Sequence, residues 1–148
     1  MKYFEDAEIG ACTVFPATYT LTEDNILHMG REWDPIPIHT DKAAAEQSIF
    51  GGLVASTVHL FAIATKLSRS VKEEWAVVSS LGMRDLKNHA PGYPGDVLGG
   101  RNTFTAKRLS RSKPGFGVID YRSELFNQDE KVLLELSGAA LYRLKNPG

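Results

Sequence analysis

The sequence predicts an α+β fold, a single domain in which a curved antiparallel sheet wraps around one long central helix. Three observations carry this. The stretch Leu53 to Leu67 is apolar on nearly every helical face apart from Ser56, Thr57, His59, Thr65 and Lys66, so it needs cover on several sides. The C-terminal half alternates apolar and polar residues with period two, the pattern of half-buried strands. The order of elements, one strand, then helices, then a run of strands, suits a sheet folded over a helix. At 148 residues the chain is long enough for one substantial core and too short to divide comfortably.

Taken in order, Ala11 to Thr20 is rich in Thr, Val, Phe and Tyr and reads as a strand. Thr20 and Thr22 are both suitable N-caps for a helix through Ile26 and Leu27, and Thr20 with Glu23 has capping-box spacing. Lys42 to Gln47 favours a short helix, followed by the long one. Trp75 to Met83 and Val97 to Ala106 are strand candidates, separated by the breaker-rich Ala90-Pro91-Gly92-Tyr93-Pro94-Gly95. Ile119, Tyr121 and Leu125 alternate with Asp120, Arg122 and Glu124. Val132, Leu134, Leu136, Ala140 and Tyr142 repeat the pattern after a polar turn at Asn127 to Glu130.

The chemistry is concentrated in Asp34-Pro35-Ile36-Pro37-Ile38-His39-Thr40-Asp41 and the following Phe50-Gly51-Gly52-Leu53-Val54-Ala55-Ser56. Proline disfavours the helical region for the residue before it, which pushes Asp34 and Ile36 toward extended or turn conformations. A shaped loop thus presents a carboxylate and an imidazole. Histidine titrates nearest neutrality and is a natural proton-transfer partner for a carboxylate in a shared cavity. Read alone, the pair also fits an Asp34 that caps the next helix or closes an Asx turn and a satisfied, half-buried His39. Asp41, two residues ahead of the alanine-rich segment, reads as an N-cap.

These residues resemble the hydratase motif of the MaoC-like acyl dehydratases, hot-dog-fold proteins that include R-specific enoyl-CoA hydratases. The carriers of the resemblance are the D-x-x-P-x-H spacing of Asp34 and His39, Asp41, the alanine-rich stretch, Phe50-Gly51 and the V-A-S segment. Ser80-Leu81-Gly82, Pro91, Pro94-Gly95-Asp96 and Ser110 to Pro114 follow in the family's order, so the likeness spans nearly the whole chain. Two departures stand out: Ile36 replaces the family's usual asparagine, and Thr57 replaces a usual glycine. The chain is nearer to a D-P-x-P-x-H branch than to typical hydratases.

The resemblance implies reversible addition of water across a trans-2-enoyl thioester, carried by CoA or an acyl carrier protein. Asp34 and His39 would hold one water and share both proton transfers, with neither metal nor covalent intermediate, and coenzyme A would enter only as part of the substrate. Backbone N–H groups around Ser56 and Thr57 would stabilise the developing enolate, with Gly51 and Gly52 allowing close approach, although the glycines alone equally mark a tight turn. Thr65 matches a small hydroxyl position near some hydratase sites, but also suits back-bonding within the helix. The basic stretch Lys107, Arg108, Arg111 and Lys113 reads as a solvated hairpin end, or, through Arg111 and Lys113, as a contact for CoA phosphates. A single sheet leaves an edge to be paired, which predicts a homodimer or a dimer of dimers. Two other activities share the fold: thioester hydrolysis and non-catalytic binding of an acyl thioester.

Composition excludes other classes. A formal net charge of −1 gives no global attraction to nucleic acid or an anionic membrane. One cysteine, Cys12, excludes an intrachain disulfide and a multi-cysteine zinc site and suits a reducing compartment. His28, His59 and His89 lack metal-ligand spacing, so no metal is expected. The acidic first residues do not read as a secretory signal, and no run reaches membrane-spanning length, so the expected location is the cytoplasm.

Overall fold

The computed structural model describes residues 1–148 and bears out the α+β reading. Its strands are β1 (Cys12–Val14), β2 (Tyr19–Thr20), β3 (Val77–Asn88), β4 (Val97–Leu109), β5 (Phe116–Phe126) and β6 (Val132–Arg143). They form one antiparallel sheet in the order β1-β4-β5-β6-β3, with β2 also paired to β4. The helices are α1 (Glu23–Trp33), α2 (Pro37–Thr40), α3 (Lys42–Glu46) and α4 (Thr57–Ser68).

Helix α4 carries the core. Leu60, Ile63, Ala64 and Leu67 point into a cluster with Leu98, Leu125 and Leu134 of the sheet and with Ile26 of α1. Each such leucine contributes about 1.5–3 kcal/mol relative to its exposed state. The helix starts at Thr57, later than the apolar run suggests. Leu53 to Ala55 are buried but extended, because Val54 N–H donates to Ile38 O at 3.1 Å and Ala55 N–H to Gly92 O at 2.9 Å. Ser56 then caps α4, its Oγ accepting from His59 N–H at 3.1 Å.

Two more sequence expectations are corrected. Ala11 to Thr20 is two short strands because Pro16, with no N–H, lies where the ladder to β4 would continue. The segment from Pro37 to Thr40 is a helical turn and not a loop, since Pro37 sits at the first helical position, where its fixed φ fits. Of the two candidate caps for α1, Thr22 is the one used, in a reciprocal capping box with Asn25. Asp41 caps α3 by accepting from Ala44 N–H at 3.1 Å.

Strand β3 is the longer of the two edges of the sheet, the short β1 being the other. All its residues are exposed, including Val77, Val78, Leu81, Met83 and Leu86, and its register with β6 shifts at three places. One shift brackets Asp85, which holds φ of 53°, the left-handed conformation common at bulges. No helix is long and apolar enough to cross a membrane.

Candidate active site

Asp34 and His39 come together at the junction of α1, α2 and the extended lead-in to α4. Asp34 is the C-cap of α1, with its N–H donating to Gly30 O, and its own carbonyl accepts from Ile36 N–H at 2.8 Å. That tight reversal sets Pro37 at the start of α2 and swings His39 back toward Asp34. His39 Nε2 lies 3.5 Å from Asp34 Oδ2. The imidazole is buried while the carboxylate is about two-fifths exposed, so the pair faces solvent from one side only.

The other ring nitrogen fixes the tautomer. His39 Nδ1 is 2.5 Å from Val54 O, and a carbonyl only accepts, so Nδ1 carries the proton. In the neutral ring Nε2 then presents a lone pair beside a carboxylate that also only accepts. Both groups therefore offer lone pairs to a water or substrate proton arriving from the exposed side of the pair.

Sequence reasoning missed the residue that permits this geometry. An ideal Cβ on Gly30 would stand 2.5 Å from His39 O and 2.8 Å from His39 Cβ. Only glycine lets α1 pass this close to the α2 backbone. The available signal was a glycine inside a helical pattern, which is disfavoured by about 1 kcal/mol and therefore calls for a packing reason.

Beside the pair lies the N-terminus of α4. The N–H groups of Thr57 and Val58 donate to no backbone acceptor outside the helix and none within it is in reach, as is usual for a first turn. Thr57 is not among the residues with positive φ, so a β-branched residue is accommodated there without strain. Its hydroxyl is turned aside to Asn88, whose Nδ2 donates at 3.0 Å. Ile36 is equally unstrained: its carbonyl accepts from His39 N–H and Thr40 Oγ1, and the turn is held by backbone bonds without a polar side chain.

Gly51 holds φ of 68° and so needs glycine for its turn, whereas Gly52 has open space around its Cα. Tyr93 Oη anchors this loop by donating to Phe50 O at 2.9 Å. Thr65 is back-bonded to Phe61 O at 3.1 Å. His59, in the first turn of α4, is buried with Nδ1 lacking any partner. Burial, and secondly the charge of nearby His39, push its pKa down. His28 and His89 sit on the surface against Glu32 and Glu135.

The basic stretch is elsewhere. Lys107 Nζ donates to Ala7 O and Glu5 O and lies over the Phe4 ring, a structural role. Arg111 and Lys113 lie in the β4–β5 turn, beyond Leu109. The α4 end of β4 is Leu98, eleven residues away, about 36 Å by strand rise.

A curved antiparallel sheet wrapped on one central helix defines a hot-dog protein, and in it a carboxylate and an imidazole meet beside the lead-in to that helix. Residues 5–124 match the MaoC like domain, and the chain belongs to that family. It is 32% identical over 113 residues to protein MaoC of Klebsiella aerogenes, covering 76% of this chain but only 33% of that protein. The crystal structure of a MaoC-like dehydratase from Rhodospirillum rubrum superposes with a TM-score of 0.88 at 28% identity, covering 97% of this chain and 98% of that one. A Mycobacterium tuberculosis protein described as a double hotdog fold aligns with a TM-score of 0.82 at 20% identity, over 99% of this chain and 46% of that one, and shows the fold.

Proposed function

We propose that the chain is an acyl-thioester hydratase or dehydratase acting on trans-2-enoyl thioesters, with Asp34 and His39 as its catalytic residues. The observation that carries this reading is the convergence of Asp34 Oδ2 and His39 Nε2 on one point, with the His39 tautomer fixed by Val54 O. A water held there gives its oxygen to C3 of the enoyl group and one proton to the pair, while the pair returns one proton to C2. Dehydration runs the same steps backward. As C2 becomes nucleophilic, negative charge gathers on the thioester oxygen, and the open N–H groups of Thr57 and Val58 at the positive end of α4 are suited to receive it. The likeness to a Rhodospirillum rubrum MaoC-like dehydratase supports the same class of reaction.

The test is loss of enoyl-thioester absorbance with crotonyl-CoA and longer enoyl-CoAs, comparing wild type with Asp34→Asn and His39→Gln. Each substitution should lower kcat by about 10²–10⁴-fold, the usual worth of a positioned acid or base. Turnover indifferent to both would sink the assignment and turn attention to hydrolysis of the thioester itself.

The reading includes a homodimer. The exposed edge of β3, with its row of apolar side chains, is suited to a second copy, and sedimentation would report the assembly directly. It also includes a cytoplasmic location, which an exposed free Cys12 suits.

A further inference from the structure

The concave face of the sheet holds two apolar clusters. The larger joins α4 to Leu98, Leu125 and Leu134. The smaller gathers Phe4, Ile119, Ala140 and Tyr142, with Trp75 and Phe104 against it. Between them lies a half-open cavity of about 520 Å³, bounded by Phe61, Thr65 and Ser68 of α4, by Trp75, by Val77, Ser80 and Met83 of the exposed β3 edge, and by the inward side chains of the sheet. That volume is ample for a small-molecule ligand.

Its floor is polar where strand alternation calls for apolar residues. In register, Asn102 faces Ser123 and Ser123 faces Leu136, one row along from the buried Leu125–Leu134 pair. Phe104, Tyr121 and Gly138 make the next row. The side chains of Asn102, Ser123 and Tyr121 all line the cavity, and their polar atoms are half-buried and open to it. Gly138 makes room for the phenol: an ideal Cβ there would stand 2.5 Å from Tyr121 Oη. Burial raises the pKa of Tyr121 and of Tyr142, against the opposing charge of Arg69, so both phenols stay protonated donors near neutrality.

An unbranched alkyl chain filling this space would strip water from three polar side chains and pair with none of them. A ring stacks on the aromatic walls, and a substituent on it can meet the polar row. We propose that this cavity binds a ring-bearing group with a hydrogen-bonding substituent, and that this group is the acyl end of the thioester. The second half rests on the hydratase reading. Helix α4 connects the two places, since Thr57 at its first turn and Thr65 in the cavity wall are eight residues apart, about 12 Å along the axis.

The experiment uses Trp75, which lines the cavity; the only other tryptophan, Trp33, is exposed and is replaced in a Trp33→Phe background. Trp75 fluorescence is titrated with 3-(4-hydroxyphenyl)propionate and with octanoate, and kcat/KM is measured for 4-hydroxycinnamoyl-CoA and trans-2-octenoyl-CoA. The phenolic acid should saturate at a concentration at least about tenfold below octanoate, and the phenolic thioester should be preferred by a similar factor. In Asn102→Leu/Ser123→Leu, checked for folding by circular dichroism, both preferences should shift toward the alkyl ligand by about tenfold. Octanoate binding as well as the phenolic acid, or no saturation by either, overturns the pocket. Phenol binding without turnover of any enoyl thioester supports the pocket and overturns its assignment to the acyl end. Hydration of octenoyl-CoA as efficient as that of the phenolic thioester leaves the hydratase reading standing and overturns this proposal.

Discussion

The two ends of α4 satisfy their polar groups in opposite ways. At the N-terminal end Asp34, His39, Val54 and Ala55 are tied by backbone bonds, and the imidazole is locked by Val54 O. Toward the other end Asn102, Ser123 and Tyr121 face a cavity, half-buried and open to it. On the proposed reading this suits chemistry, since a displacement of about 1 Å in a reacting geometry can lower the rate about 10²-fold, and the chain itself fixes that end. A pocket that must take up a ligand can leave its polar groups for the ligand to satisfy.

The same substitution at both ends breaks this comparison most directly. Gly30→Ala would drive a methyl into the His39 backbone, which has no way to yield without moving α2. We expect kcat to fall by about 10²-fold and unfolding free energy to drop by about 1–3 kcal/mol, read by enoyl-CoA hydration and urea denaturation. Unchanged activity would show that the site is not fixed by this packing.

His59 sharpens the comparison through pH. Its pKa is depressed in the folded chain, first by burial and then by His39, so folding favours the neutral ring. The stability it supports is complete above the unfolded value near 6.5 and is lost as pH falls below that toward the folded value. The slope in that window is at most about 1.4 kcal/mol per pH unit. His59→Gln should flatten the fall in Tm between pH 7 and pH 5. Equal slopes in variant and wild type would assign the pH dependence to other groups.

Thr57→Gly removes the bond from Asn88 and the methyl that covers the first turn of α4 but leaves the N–H in place. It should cost about 1 kcal/mol, while turnover stays within a few-fold of wild type. A large rise in turnover would mean that the threonine side chain restricts the site. The smallest effect is expected at Gly138→Ala. There the added methyl meets only the end of the Tyr121 side chain, which can swing into the cavity. Stability should change by less than about 1 kcal/mol, and binding of the phenolic acid to Trp75 should weaken. A stability loss as large as that of Gly30→Ala would show that the cavity end is as rigid as the site.

How far the sequence could be read follows from the range of the forces involved. Period-two alternation marked β5 and β6, and the all-round apolar run marked α4, because each is a local pattern. The Asp34–His39 pair was legible only through the likeness of the surrounding motif to the MaoC-like family, since its spacing alone equally suited a cap and a buried histidine, and Asp41 was legible as a cap from its place before three alanines. The helical turn at Pro37 was less so, because a proline can open a helix or break a chain and only the Asp34–Ile36 reversal decided which. Breaking of the first strand at Pro16 depended on the ladder to β4, and the polar row of Asn102 and Ser123 emerged only once register placed them side by side under α4.

By itself, then, the sequence determined the fold class and its longest elements through short-range periodicity and backbone preference, while the pairing of Asp34 with His39 was read through the likeness of the whole motif to a known family. Tertiary structure alone decided that Gly30 makes room for His39, that Val54 O sets its tautomer, that Arg111 and Lys113 lie at the far end of the sheet, and that polar side chains converge on a cavity. Each of these depends on contacts between residues distant in the chain, and no local preference encodes the distance at which two such residues meet.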